Sequence, residues 1–116
     1  MDLATKLDGG ATVVVIDPSG ARRSLTATLG MRLFVGSDPS AAIQVIDPRV
    51  GPGHALIERQ GPGWIVTSLD PANPIWILDD TGRPVPVMEQ LGVKSATLLA
   101  GSTQVLLYPP VSQESR

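Results

Sequence analysis

The residues able to do chemistry in this 116-residue chain are few, and their spacing excludes more than it offers. His54 is the single histidine and there is no cysteine, so no thiolate nucleophile, disulfide or Cys/His zinc set can form. Carboxylates would have to complete any metal site around His54, and none is spaced for it; no metal and no cofactor are expected. There is no nucleophile–base pair and no pair of carboxylates in an apolar setting, so an enzyme is not expected. Gly51-Pro52-Gly53 has the glycines of a phosphate-cradling loop, but proline removes a backbone donor where donors are needed. What remains is recognition chemistry. Arg49 flanks that loop with a planar fork suited to oxyanions. Asn73, in a later Pro-rich loop, can contact a ligand or tie its own turn. Trp76, on a strand just beyond it, is either a docking contact or part of the sheet packing.

Composition narrows the class further. The apolar fraction, 42%, suits one globular domain with a single core, and the charged fraction, 17%, is low. A net charge of −2 offers no basic face, so neither nucleic acid nor an anionic membrane is an expected partner. The first ten residues, MDLATKLDGG, lack a basic stretch followed by an apolar one, so no secretory signal is read there. Apolar runs stop well short of the ~20 residues of a membrane helix. A cytoplasmic, soluble domain is the expectation.

The elements that must position these residues are short. Gly (12) and Pro (11) are spread along the chain, which favours many short strands over a helix bundle. Residues 1–10 read as a flexible leader, 11–108 as the domain and 109–116 as a solvated tail. Ala11–Ile16 is rich in β-branched residues, Asp17-Pro18-Ser19-Gly20 is a turn, and Arg22–Leu29 alternates like a half-buried strand, giving a hairpin. Gly30–Val35 and Ile43–Ile46 follow as strands. Ala55–Arg59 and Trp64–Leu69 form a second hairpin around Gln60-Gly61-Pro62-Gly63. Ile75–Leu78 is a strand, and two prolines confine Arg83–Met88 to a sheet edge. Glu89–Ser95 reads as a helical turn, and Thr97–Ala100 with Gln104–Tyr108 closes the fold as a last hairpin. About ten short strands at regular spacing indicate an all-β sandwich or barrel.

Val50-Gly51-Pro52-Gly53-His54-Ala55, with Trp64 ten residues after the histidine, resembles the core of a forkhead-associated (FHA) domain. The resemblance runs from Ala11 to Tyr108 and implies a β-sandwich of two sheets whose loops, at one end, bind phosphothreonine peptides. Gly36 matches the family's Gly-Arg pair, but Ser37 stands in the arginine's place. Gly51 replaces the serine of the Ser-x-x-His motif three residues before His54. Trp64 is in register, Ser68-Leu69 takes the place of an Asp-Leu pair, and Asn73-Pro74 that of Asn-Gly. Gly101-Ser102 stands for Gly-Asp between the last two strands. By the same resemblance His54 supports the loops through hydrogen bonding, and Trp64 is a core residue.

These departures fall on function more than on fold. A phosphate dianion needs fixed donors, and charge-assisted hydrogen bonds contribute ~1.5–3 kcal/mol each, so loss of the arginine alone costs roughly ten- to a hundredfold in affinity. The leading expectation is a protein-interaction module of FHA type that docks a protein or peptide without phosphate. Its loops would carry the contact, through Gly36, Ser37, Arg49, Gly51, Pro52, Gly53, Asn73 and Trp76, or a sheet face would. The alternative is a phosphothreonine reader using Asn73 and a relocated arginine, Arg49 first, with Arg32 and Arg83 as further sources.

Overall fold

The computed structural model describes residues 10–70 and 72–110. All eleven elements among them are strands: β1 (Ala11–Ile16), β2 (Arg22–Ala27), β3 (Arg32–Gly36), β4 (Ile43–Gln44), β5 (Ala55–Gln60), β6 (Gly63–Ser68), β7 (Trp76–Leu78), β8 (Pro84–Pro86), β9 (Gln90–Val93), β10 (Ala96–Ala100) and β11 (Thr103–Leu107). They form a sandwich of two sheets, one in the order β2-β1-β11-β10-β7-β8 and the other β4-β3-β5-β6-β9. Every pairing is antiparallel except β3 with β4. The leader and tail lie outside the described residues, apart from Gly10, Pro109 and Pro110.

Local chemistry explains most of the turns. Asp17 Oδ1 accepts from Ser19 N, Ser19 Oγ and Ala21 N, which folds the chain between β1 and β2. Asp79 repeats the device between β7 and β8 with Thr81 N, Thr81 Oγ1 and Arg83 N. Each turn carries a glycine at positive φ, Gly20 and Gly82, where a Cβ would be strained. Pairing then follows alternation: in β1, Ala11, Val13 and Val15 are buried while Thr12, Val14 and Ile16 face outward.

Three sequence expectations change. Glu89–Ser95 is not a helical turn; Gln90–Val93 pairs with β6 as an edge strand. Ladder hydrogen bonds to Trp64–Thr67 outweigh the weak local propensity of Gln-Leu-Gly-Val. The strand expected over Ile43–Ile46 keeps only two residues, and Ile46 is 79% exposed. The second strand stops at Ala27, leaving Leu29 outside the core.

The core joins the inner faces of both sheets, among them Val13, Val35, Ile57, Val66, Leu98 and Val105. Trp64 closes it at one end, 1% exposed, with its indole Nε1 donating to the Tyr108 carbonyl at 2.8 Å. Arg59 stacks over that ring at 5.8 Å and is fully buried. Its guanidinium donates to the carbonyls of Ala27, Gly61 and Gly63, so backbone oxygens replace the water it lost. Trp64→Ala is expected to cost about 3–5 kcal/mol, because it removes a large core side chain and strips Arg59 of its ring. A urea titration reading a smaller loss than about 1 kcal/mol would show that the ring is not what seals this end.

Candidate functional site

Opposite Trp64, the other end of the sandwich gathers the β3–β4 loop, the β4–β5 loop, the β6–β7 loop and the β10–β11 turn. Backbone hydrogen bonds weave the first three together. Ser37 N donates to the Gly51 carbonyl and Val45 N to the Gly36 carbonyl. His54 N donates to Val35, and its own carbonyl accepts from Leu69 N. Gly36 is required by close approach: a Cβ there would fall on the Pro52 carbonyl oxygen. Gly36, Ser37, Gly51, Pro52 and Gly53 are thus brought together.

His54 lies at the base of this cluster, 1% exposed. The hydrogen bonds it makes to the loops are those of its backbone. Neither imidazole nitrogen has a hydrogen-bond partner among the described residues, and the residue joins the loops through its backbone and its bulk. Burial pushes the imidazole below its ordinary range, against the opposing pull of Asp70 and Asp47.

Asp47 is the centre of the cluster. Its carboxylate accepts from Arg49 N at 2.9 Å, Arg49 Nε at 3.0 Å, Arg49 Nη2 at 2.9 Å and Ser102 N at 3.1 Å. It rests against Gly101, where any side chain would collide with it. Arg49 Nη2 also donates to Ser102 Oγ. The Arg49 side chain therefore binds the carboxylate as a fork while remaining 61% exposed. Asn73 Nδ2 donates to the Arg49 carbonyl, which ties the β6–β7 loop to the β4–β5 loop instead of to itself. These hydrogen bonds, led by the Arg49 side chain, hold the Asp47 carboxyl well below the usual carboxylate range.

The other candidates separate. Arg32 and Arg83 lie at the opposite end, because β3 runs from Arg32 toward Gly36 and β7 runs away from the site into the turn that carries Arg83. Arg32 is paired there with Glu58 at 3.3 Å. Arg23 does reach this end, and its Nη2 donates to the Gln44 carbonyl at 2.8 Å. Trp76 is outside the core, 38% exposed on the outer face of the first sheet between Leu99 and Pro86. A shallow groove beside the loops, lined by Phe34, Asp38, Ser40, Ala41, Pro52 and Gly53, has a volume of about 260 Å³. Its one signal in the sequence is Leu33-Phe34-Val35, apolar on both faces of a strand that needs only one buried face.

The family model described as FHA domain matches residues 33–96. Solved structures agree over nearly the whole fold. The FHA domain of the CT664 protein from Chlamydia trachomatis is 21% identical, with a TM-score of 0.71, over 86% of this chain and 97% of that one. The FHA domain of an Arabidopsis thaliana hypothetical protein is 16% identical, with a TM-score of 0.71, over 92% and 91%. The FhaA FHA domain, solved in complex with the intracellular domain of Rv3910, is 18% identical, with a TM-score of 0.63, over 84% and 98%. No curated protein matches the chain.

The groups whose protons are held away from their ordinary range set the response to acid, at this end and in the β7–β8 turn. Asp47, Asp17, Asp38 and Asp79 are all held below the ordinary carboxylate range by hydrogen bonds, and His54 is held below its own by burial. In each case the unfolded chain binds the proton more readily, so stability falls as pH falls. The His54 contribution is expected to decline below about pH 6.5 and the carboxylate contributions below about pH 4. Urea midpoints measured from pH 7 to pH 3 check this; Asp47→Asn should flatten the limb below about pH 4, and His54→Gln the limb above it. Midpoints that rise toward pH 3 would contradict the assignment.

Proposed function

This chain belongs to the FHA domain family, and we propose that its loop end docks a protein segment without reading a phosphate. FHA domains are in general protein-interaction modules that bind phosphothreonine peptides, and the interaction role carries over directly. The FhaA domain complexed with the intracellular domain of Rv3910 supports a protein partner for such a surface. The observation that carries the phosphate-independent reading is the use already made of the polar groups. Arg49 is forked onto Asp47, the Asn73 amide is held by the Arg49 carbonyl, and position 37 offers one neutral hydroxyl. A phosphate dianion placed here would compete with Asp47 for Arg49, on loops that also carry the carboxylates Asp38 and Asp70. An apolar segment meets a better surface: the Phe34–Pro52 groove, with Ile46, Leu69 and Trp76 exposed around the same end. The contact is one between proteins in the cytoplasm, and it needs no metal, cofactor or catalytic group.

The test is a phosphothreonine peptide library titrated against its unphosphorylated twin by fluorescence polarisation. Equal binding of the two is the expected result; phosphate-dependent binding at micromolar affinity would overturn the proposal in favour of a relocated arginine. The double substitution Ser37→Arg with Gly51→Ser gives the sharper measurement. It restores a fork and a hydroxyl at the loops and is expected to raise the preference for the phosphorylated twin about ten- to a hundredfold. Phe34→Ser should weaken capture of both twins equally.

A further inference from the structure

Away from the loops, the two sheets part between their edge strands β8 and β9. They enclose an open groove of about 570 Å³, lined by Ile77, Val85, Leu91, Val93 and Ala96. Val85 and Leu91 are each more than a third exposed there, although both lie at inward-facing register positions. At the loop end the sandwich is closed by the crossover through buried Val87, whose carbonyl accepts from Ser68 Oγ at 2.6 Å. The opening is thus confined to the stretch where β8 and β9 run side by side without pairing.

The two edges differ in what their backbones present. Val87 N donates to Ile75 and Asp79 N to Arg83, so alternation turns Val85 toward β7 and puts positions 84 and 86 on the outward side. Both of those are proline, so β8 has no outward N–H to offer. On β9, Ser68 N donates to the Glu89 carbonyl, so Leu91 and Val93 bond to β6 while Gln90 and Gly92 turn their N–H and C=O outward. These edge groups have no partner among the described residues. Gly92 is glycine without a conformational or steric need: its φ is not positive, and the nearest atom to a Cβ there is 3.9 Å away. It leaves the edge backbone bare for close approach.

We infer that β9 is a strand-addition site that takes an extended, basic segment of a partner protein. Its backbone pairs with Gln90 and Gly92, and its alternate apolar side chains fill the groove over Leu91 and Val93. Charge selects the occupant. The charged residues lining the groove are Asp79 and Asp80, both carboxylates, which favour a lysine or arginine flanking the apolar positions.

The probe is an eight-residue peptide alternating valine with lysine and threonine, compared with its glutamate-for-lysine counterpart, against the full 116-residue chain. Binding is expected to protect the Gln90 and Gly92 amides from exchange and to favour the lysine peptide at least about threefold. N-methylation of the peptide should abolish binding in one phase of alternate residues and spare it in the other, a readout that leaves the protein unaltered. Gly92→Pro should lower affinity about five- to tenfold, through the one outward N–H it removes, and Leu91→Lys should do the same from the groove side, thermal melts confirming that each variant is folded. Three results would overturn the inference. The first is indifference to methylation phase. The second is perturbation of Gly36 and Pro52 instead of Gln90 and Gly92. The third is a sedimenting dimer that Gly92→Pro dissolves, which would give the edge to a second copy.

Discussion

A carboxylate three residues beyond a two-residue strand holds this molecule's loops in place. Asp47 leaves β4, in one sheet, and receives the Ser102 amide from a hairpin turn of the other, while it gathers the Arg49 backbone and side chain around itself. A buried core keeps two sheets face to face but does not fix where their connecting loops lie. Here that task falls to charge-assisted hydrogen bonds, which are short and directional. Gly101 is the complementary constraint, since any side chain there would occupy the carboxylate's position. Asn73 then brings in the third loop by holding the carbonyl of the same arginine. The β4–β5, β6–β7 and β10–β11 connections thus meet around Arg49 and Asp47.

This economy is what the proposed phosphate-independent docking rests on. A guanidinium satisfied by an internal carboxylate is neither short of acceptors nor surplus in charge, so it offers a ligand only its outer edge. The loops are pinned by the very groups that a phosphate reader would keep free. Rigid loops whose arginine is already paired suit the proposed surface, one that binds by shape and apolar area, and Phe34, Ile46, Leu69 and Trp76 are exposed around it.

How much of this could be read from residues alone depends on whether the deciding interaction is local. The β1–β2 and β5–β6 hairpins were legible because Asp-Pro-Ser-Gly and Gln-Gly-Pro-Gly set their own turns. The frame of the site, Gly36 with Gly51-Pro52-Gly53 and His54, was legible through its spacing. β9 was not, because Gln-Leu-Gly-Val becomes a strand only by pairing with β6 across a long intervening stretch. The Asp47–Arg49 fork spans two residues and reads locally as a turn, yet its meaning comes from Ser102, on another sheet. Arg23 was missed for the same reason: its strand was evident, but its contact with Gln44 crosses between sheets. Arg59 shows the limit from the other side. Alternation alone puts it inward with Ala55 and Ile57, but the three carbonyls that make burial tolerable come from β2 and the β5–β6 turn.

The edges of the two sheets carry the argument about partners further than the loops do. A sheet edge is a row of unpaired backbone groups, and folded proteins blunt such rows. In this sandwich β2 carries Arg22 and Arg23, the second of which reaches across to β4. β4 is two residues long and leaves little to pair. β8 sets prolines at both outward positions. β9 has none of these devices: no proline, no charge between Gln90 and Val93, and a glycine where a side chain would fit without strain. In a chain with 11 prolines, the absence of one from this edge is conspicuous beside their double use on the strand facing it. The groove between those two strands gives a reason for the asymmetry: β8 lends it an apolar wall that cannot pair, and β9 lends it a floor that can.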